Sequence, residues 1–267
     1  MRILFIGTSS NSGKTLISAL FCRYLRRKMI SVVPFKGYNL SSSAFMTDEG
    51  EIGIGQALQA WACDIIPGPE INPVLHKASG GKLKLIVNGK EATMSRDAML
   101  EAALASYDKL CDIYDAVVAE GSGSAAEINL TDTDIANIGL AKARNVPMIL
   151  VGDIEKGGVF AGIYGTWLLI PENLRHLLKG FVINKYYGEK EILKSGIERI
   201  ESLTGMRCLG VLPYMNVRLP EEDSAGEGVH TYADDEINDL VAELDRILDE
   251  AVKHLDMKGI AEYASEE

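Results

Sequence analysis

Cysteine is sparse and scattered. Cys22, Cys63, Cys111 and Cys208 form no Cys-x-x-Cys pair. That argues against a disulfide framework or a metal cluster and for reduced thiols in a cytoplasmic protein. A basic excess is also missing: 27 Lys and Arg stand against 38 Asp and Glu, a formal net charge of −11. A chain of that sign lacks the electrostatic footprint of a nucleic-acid binder, so no nucleic-acid partner is expected. No apolar run approaches the roughly 20 residues of a membrane span, and no membrane partner is expected. The first apolar run starts at residue 2, so no signal peptide is expected. No internal repeat is visible. The 267 residues are 47% hydrophobic, enough for one large α/β domain or two small ones with a sizeable core.

The most informative segment comes first. Residues 2–7, Arg-Ile-Leu-Phe-Ile-Gly, form a short apolar run with the character of a buried strand. Thr8-Ser-Ser-Asn-Ser-Gly13-Lys14-Thr15 follows, and then a helical stretch from Leu16. Strand, Gly/Ser turn, Gly-Lys-Thr and helix is the layout of a phosphate-binding loop. Loop N–H groups and the positive helix end can hold phosphate oxygens. Lys14 would reach the terminal phosphates and Thr15 would hold Mg²⁺. The loop departs from the usual pattern at one place: Thr8 stands where a glycine is normal, and Gly7 precedes it.

Further along, apolar runs at 31–35, 83–87, 116–119, 146–151, 180–183 and 208–212 predict strands. Asn88-Gly89 predicts a tight turn. Residues 37–50 predict a long polar loop, of the kind that is often functional. Helices are predicted over 51–63, over 96–110 with Ser95 as N-cap, and over 236–255, where apolar residues recur at three- and four-residue spacing. Alternating strands and helices with near-continuous apolar strands predict a mostly parallel sheet covered on both faces. The expected organisation is a main domain over 1–220, a polar linker or loop over 221–235, and a C-terminal helix over 236–267 packing on the same domain.

In a parallel sheet, ligands bind at the carboxyl ends of the strands. Lys14, Lys36, Glu120, Asp153 and Asn184 all fall at such ends. Two lysines suit a polyanionic substrate, and the carboxylates suit Mg²⁺. Asn184-Lys185 is similar to the Asn-Lys pair that contacts the base in many nucleotide-binding proteins.

The Gly7-Thr8 and Gly13-Lys14-Thr15 segments resemble the phosphate loop of dethiobiotin synthetase and of the cobalamin-pathway amide synthetases. Longer strings resemble the cobyric acid synthase family: Pro34-Phe-Lys-Gly-Tyr-Asn39, Glu51-Ile-Gly-Ile-Gly-Gln56, Asn72-Pro-Val-Leu75 with Lys77, Glu120-Gly-Ser-Gly-Ser-Ala-Ala-Glu-Ile-Asn129, Asp153-Ile-Glu-Lys-Gly-Gly-Val-Phe-Ala161, and Gly210-Val-Leu-Pro213 with Glu222-Asp223-Ser224. The resemblance implies a P-loop NTPase-type, dethiobiotin synthetase-like α/β fold. It implies that ATP activates a corrinoid carboxylate as an acyl phosphate, which ammonia converts to an amide. Carried over residue by residue, Thr8, Asn11, Ser12, Gly13, Lys14, Thr15, Asn184, Lys185 and Pro213 would hold ATP. Thr15, Glu51 and Glu120 would face Mg²⁺. Lys14 and Lys36 would stabilise the transferring phosphoryl group, and Asn39, Asn72, Lys77, Asn129 and Asp153 would contact substrate or loops. His76 stands where the family usually has an apolar residue, and is read as a local variation.

The family usually continues into a glutamine amidotransferase domain with a nucleophilic Cys. None of the four cysteines here sits in a Gly-rich nucleophile elbow. The expectation is therefore a chain that uses ammonia, supplied free or by a separate glutaminase subunit; a homodimer is left open. Two alternatives stay open at this point: a dethiobiotin-type carboxylase, and a nucleotide-binding regulatory protein without ligase turnover.

Overall fold

The computed structural model describes residues 1–155, 157–220 and 228–266. Strand β1 (Arg2–Gly7) leads through the loop into helix α1 (Lys14–Arg27) and strand β2 (Val32–Phe35). Three short strands follow, β3 (Asn39–Ser41), β4 (Ser43–Thr47) and β5 (Gly50–Gly53), then helix α2 (Ile54–Ala62). Strands β6 (Val74–Ser79), β7 (Lys82–Val87) and β8 (Lys90–Glu91) precede helix α3 (Arg96–Ile113). The chain continues through β9 (Ala116–Glu120), α4 (Ile138–Arg144), β10 (Met148–Asp153), α5 (Val159–Leu169), β11 (Leu178–Tyr186), α6 (Lys194–Thr204) and β12 (Arg207–Pro213). It closes with β13 (Gly228–His230), α7 (Asp234–Ala251) and α8 (Met257–Ala264).

Six strands form one parallel sheet in the order β12-β11-β10-β1-β9-β2. Strands β1, β2 and β9 are buried almost throughout, as expected for a sheet covered on both faces. The parallel register brings the carboxyl ends level: Phe5 pairs with Glu120, Gly7 with Val151, and Asp153 with Asn184. This is why distant polar residues meet over the loop that follows β1.

The predicted parallel α/β architecture is the observed one. Ser95 caps α3 as predicted, its Oγ accepting from the Ala98 N–H at 3.3 Å. Asn88 and Gly89 both have positive φ, 48° and 81°, in the tight turn between β7 and β8. Other predictions need correcting. Residues 37–50 are not an open loop: β3 pairs with β6, and β4 pairs with β5 and β13, in two small sheets. Long-range backbone pairing overrides a local Ser-rich composition with low strand preference. Glu51 belongs to β5, and the helix starts only at Ile54. Strand β6 carried no prediction; β13 lies in the stretch expected as a polar linker or loop, and the C-terminal helix expected over 236–267 is two helices, α7 and α8.

Helix α7 packs on α1. Its apolar stripe buries Leu244, Ile247, Leu248 and Ala251. Arg23 donates to both carboxylate oxygens of Asp245, at 2.7 and 2.9 Å, and Arg27 reaches Asp249 at 2.6 Å. The string at 222–224 and Lys156 lie outside the described residues. Among the described residues, no helix is long and apolar enough to cross a membrane.

Candidate functional site

The turn after β1 is shaped by its glycines. Gly7 starts the turn with no room for a side chain: a Cβ there would lie 2.5 Å from Ser12 Oγ and 2.8 Å from Lys14 Nζ. Gly13 caps α1 at φ 97°, in left-handed space that favours glycine. A Cβ at Gly13 would also collide with the Asn184 amide. Gly13→Ala is therefore expected to lose nucleotide binding through a displaced loop while the sheet stays folded. Calorimetry with ATP alongside thermal melting checks this, and unchanged affinity would overturn it.

Lys14 is buried, and its Nζ donates to the carbonyls of Ser9 at 3.0 Å and Gly123 at 2.9 Å. The lysine thus ties the first loop to the loop after β9. Asn184 Nδ2 donates to the Ser12 carbonyl at 3.0 Å, and its Oδ1 accepts from the Lys185 N–H at 2.9 Å. Lys185 Nζ donates to the Asn11 carbonyl at 3.0 Å and to Asp153 Oδ2 at 2.8 Å. Asn184 and Lys185 therefore hold the loop from the β11 side. Thr8 donates its backbone N–H to Val151 O at 3.0 Å.

On the other side of β1, Glu120 collects four donors. Oε1 accepts from Thr15 Oγ1 at 2.8 Å and from Lys36 Nζ at 2.9 Å. Oε2 accepts from Gln59 Nε2 at 2.6 Å and from Gln56 Nε2 at 3.3 Å. The Lys36 and Glu120 side chains are only 4% and 1% exposed. Burial pushes the Glu120 carboxyl up, but the Lys36 charge and hydrogen bond, with Lys14 and Thr15, outweigh it and hold the group below the ordinary carboxylate range. Four donors fill the lone-pair sites of a carboxylate.

A cavity of about 1080 Å³ joins these parts. It is lined by Thr8, Asn11, Gly13, Lys14, Thr15, Lys36, Asn39, Glu120, Asp153, Asn184, Lys185 and Pro213 among others. Ser12 lies just behind the lining, fully buried. Besides Ser12, four expected residues do not line the cavity. Glu51, expected at the metal, is ion-paired with Lys77, expected at the substrate; each neutralises the other away from the cleft. Asn72 serves the backbone, accepting from the Gly53 N–H at 2.9 Å and donating to Lys36 O at 3.0 Å. It bridges the end of β5 to Lys36, just past β2. Asn129 is exposed in a short 3₁₀ segment.

Gln56 and Gln59 carried no assigned role in the sequence, although a signal was there. They are the only two polar side chains in an otherwise apolar helix, one turn apart, and a fully buried helix of that kind must give them partners.

Strand, phosphate loop and helix, with lysines and a buried carboxylate at neighbouring strand ends, define a P-loop nucleotide-binding protein. The chain belongs to the CobQ/CobB/MinD/ParA nucleotide binding domain family (CbiA), which matches residues 3–227. It is 44% identical over 84% of its length to a probable cobyric acid synthase of Methanosphaerula palustris. It is 47% identical over 83% of its length to a probable cobyric acid synthase of Methanocaldococcus jannaschii. It covers 48% and 47% of those two proteins, about half the length of the curated relatives it matches. Among solved structures, the MinD cell division protein of Aquifex aeolicus aligns over 98% of this chain and 94% of its own, at 15% identity and a TM-score of 0.45.

Proposed function

We propose that this chain is the ATP-dependent activating part of a corrinoid amide ligase. The observation that carries the reading is the single cavity joining the phosphate loop to the Lys36–Glu120 pair. The strand order supports a direction for the nucleotide. Asn184 and Pro213 lie on the β11 and β12 side of the loop strand, and Glu120 and Lys36 on the β9 and β2 side. A nucleotide lying toward β12 turns its terminal phosphate to Lys36. The substrate then enters past Asn39 and Leu40, on the side of the small sheets. The similarity to proteins named cobyric acid synthase supports a corrinoid as that substrate.

In the proposed reaction, a carboxylate oxygen attacks the γ-phosphorus of ATP and ADP leaves. Ammonia then attacks the acyl carbon, phosphate leaves, and the nitrogen loses a proton to give the amide. Lys14 and Lys36 neutralise charge on the transferring group, since phosphoryl transfer rests mainly on positioning and electrostatics. Thr15 and Glu120 fit Mg²⁺, which takes few protein oxygens and completes its shell with phosphate and water. When bound, Mg²⁺ would supply charge neutralisation at the phosphates. Because Glu120 already takes four donors, Thr15 would hold the ion and Glu120 would orient the Thr15 hydroxyl.

None of the four cysteines lines the cavity. Cys22 and Cys63 are buried, and burial pushes the thiols of Cys63, Cys111 and Cys208 up, away from the thiolate a glutaminase needs. The purified chain is therefore expected to amidate a corrinoid diamide with ammonium and ATP, and to give no product with glutamine. Mass spectrometry of parallel reactions tests both statements. Loss of ATP without a mass change in the corrinoid would refute the ligase reading. Equal product from glutamine would show an unrecognised glutaminase centre.

A further inference from the structure

The two glutamines at Glu120 look in opposite directions. Gln59 turns to the nucleotide side: its Nε2 donates to Glu120 Oε2 at 2.6 Å and to Thr15 O at 3.3 Å. Gln56 turns the other way. Its Nε2 donates to Glu120 Oε2 at 3.3 Å, and its Oε1 accepts from Asn39 Nδ2 at 3.0 Å. Asn39 lies in β3 and lines the cavity on the side of the small sheets. A buried chain of side-chain hydrogen bonds therefore runs from Asn39 through Gln56 to the carboxylate beside Thr15 and Lys36.

This chain has a direction. An ionised carboxylate only accepts, so Gln56 must turn its NH₂ group to Glu120 and its carbonyl to Asn39. Asn39 must then give its own NH₂ group to Gln56. The charge on Glu120 thus orients two amides in series, and the second stands on the cavity wall. The contact is also built into the backbone. Gly53, the last residue of β5, has φ −64° and ψ 141°, a conformation that any residue adopts. A Cβ there would collide with both Asn39 Nδ2 and Gln56 Oε1. Glycine is needed for space, at the point where the two amides meet. The Gln56 contact is the longest of the four that Glu120 receives, so Lys36, Thr15 and Gln59 hold the charge without it.

We propose that Gln56 is a positioning residue of the ligase, which couples the Glu120 carboxylate to Asn39 and so orients the amide that meets the corrinoid at the cavity entrance. The inference rests on the corrinoid reading of the same cavity. With its NH₂ end held, Asn39 offers the substrate a preorganised group, and binding need not order a free rotor.

The test compares Gln56→Met, Asn39→Ala and the double variant. Amidation of a corrinoid diamide with ammonium and ATP is followed by mass spectrometry over a range of corrinoid concentrations. Calorimetry with Mg²⁺ and ATP, and thermal melting, run alongside. For Gln56→Met the coupling predicts a corrinoid KM raised by about 5- to 150-fold, the cost of leaving one buried amide without its partner. The fall in kcat should be smaller, and ATP affinity should be unchanged. The double variant should show the KM of Asn39→Ala alone, because Gln56 acts through Asn39. Gly53→Ala keeps both amides but forces them apart, and should raise KM in the same direction. An unchanged KM in Gln56→Met or in Gly53→Ala, or losses that multiply in the double variant, overturns the coupling. Equal losses of ATP and corrinoid affinity with an early melt would make Gln56 a structural residue only, and overturn it as well. Wild-type protein that binds Mg²⁺ and ATP but forms no amide refutes the ligase reading instead, and the coupling with it.

Discussion

Lys14→Ala is expected to lower ATP turnover by about 10²- to 10³-fold, by analogy with the removal of one donor to a developing oxyanion. The lysine is buried and points across the cleft, where its ammonium donates to the Ser9 and Gly123 carbonyls. Both carbonyls belong to loops that line the cavity, so water can replace the ammonium there. The fold should therefore survive, and the melting temperature should move far less than the rate. Steady-state ATP hydrolysis with a parallel thermal melt measures both. A variant with wild-type turnover would remove the phosphate-loop assignment, and a variant that melts early would give Lys14 a mainly structural role.

The second large effect concerns the buried pair beside it. Lys36→Met should destabilise the fold by about 3–5 kcal/mol, because it leaves the Glu120 carboxylate buried without its closest cation. The double variant Lys36→Met/Glu120→Gln should recover much of that loss, since removing both charges leaves no uncompensated ion. Turnover should stay lost in both. Urea denaturation of the single and double variants tests the coupling; additive losses would mean that the two charges act independently.

Acid sensitivity follows from the same pair. The folded-state pKa of Glu120 is held below its ordinary value, so its contribution to stability is present above the unfolded carboxylate range. That contribution disappears as pH falls through the lower, folded value. Lys36→Met removes the chief cause of the depression, so the acid transition of the variant should begin at higher pH than in the wild type. A pH series of urea midpoints reads this directly.

Much of the architecture was legible because its signals are local. The apolar runs before Gly7, Glu120, Asp153 and Asn184 mark buried parallel strands, and in such sheets the residues just past the strand ends share one crevice. Gly13-Lys14-Thr15 marks the loop by residue type alone. Ser95 and the Asn88-Gly89 turn were legible for the same reason: caps and tight turns depend on a few neighbouring residues.

What stayed hidden depends on contacts between distant segments. Nothing near Ser41 and Ser43 announces strands, because their partners lie at residues 75–77 and at residues 50–53 and 228–230. Glu51 and Lys77 carry the charges of a functional site, yet tertiary structure brings them to each other and away from the cavity. Asn184 lines the cavity, and only the fold shows that its amide also donates to the backbone of the phosphate loop. Gln56 and Gln59 gained their place at Glu120 only when α2 packed beside the ends of β9 and α1. The sequence by itself determined the fold class and the phosphate loop, through hydrophobic periodicity and turn chemistry. The tertiary structure alone decided which charged and amide side chains meet in the cleft, because a polar group buried by packing must satisfy its hydrogen bonds with whatever partner the fold supplies.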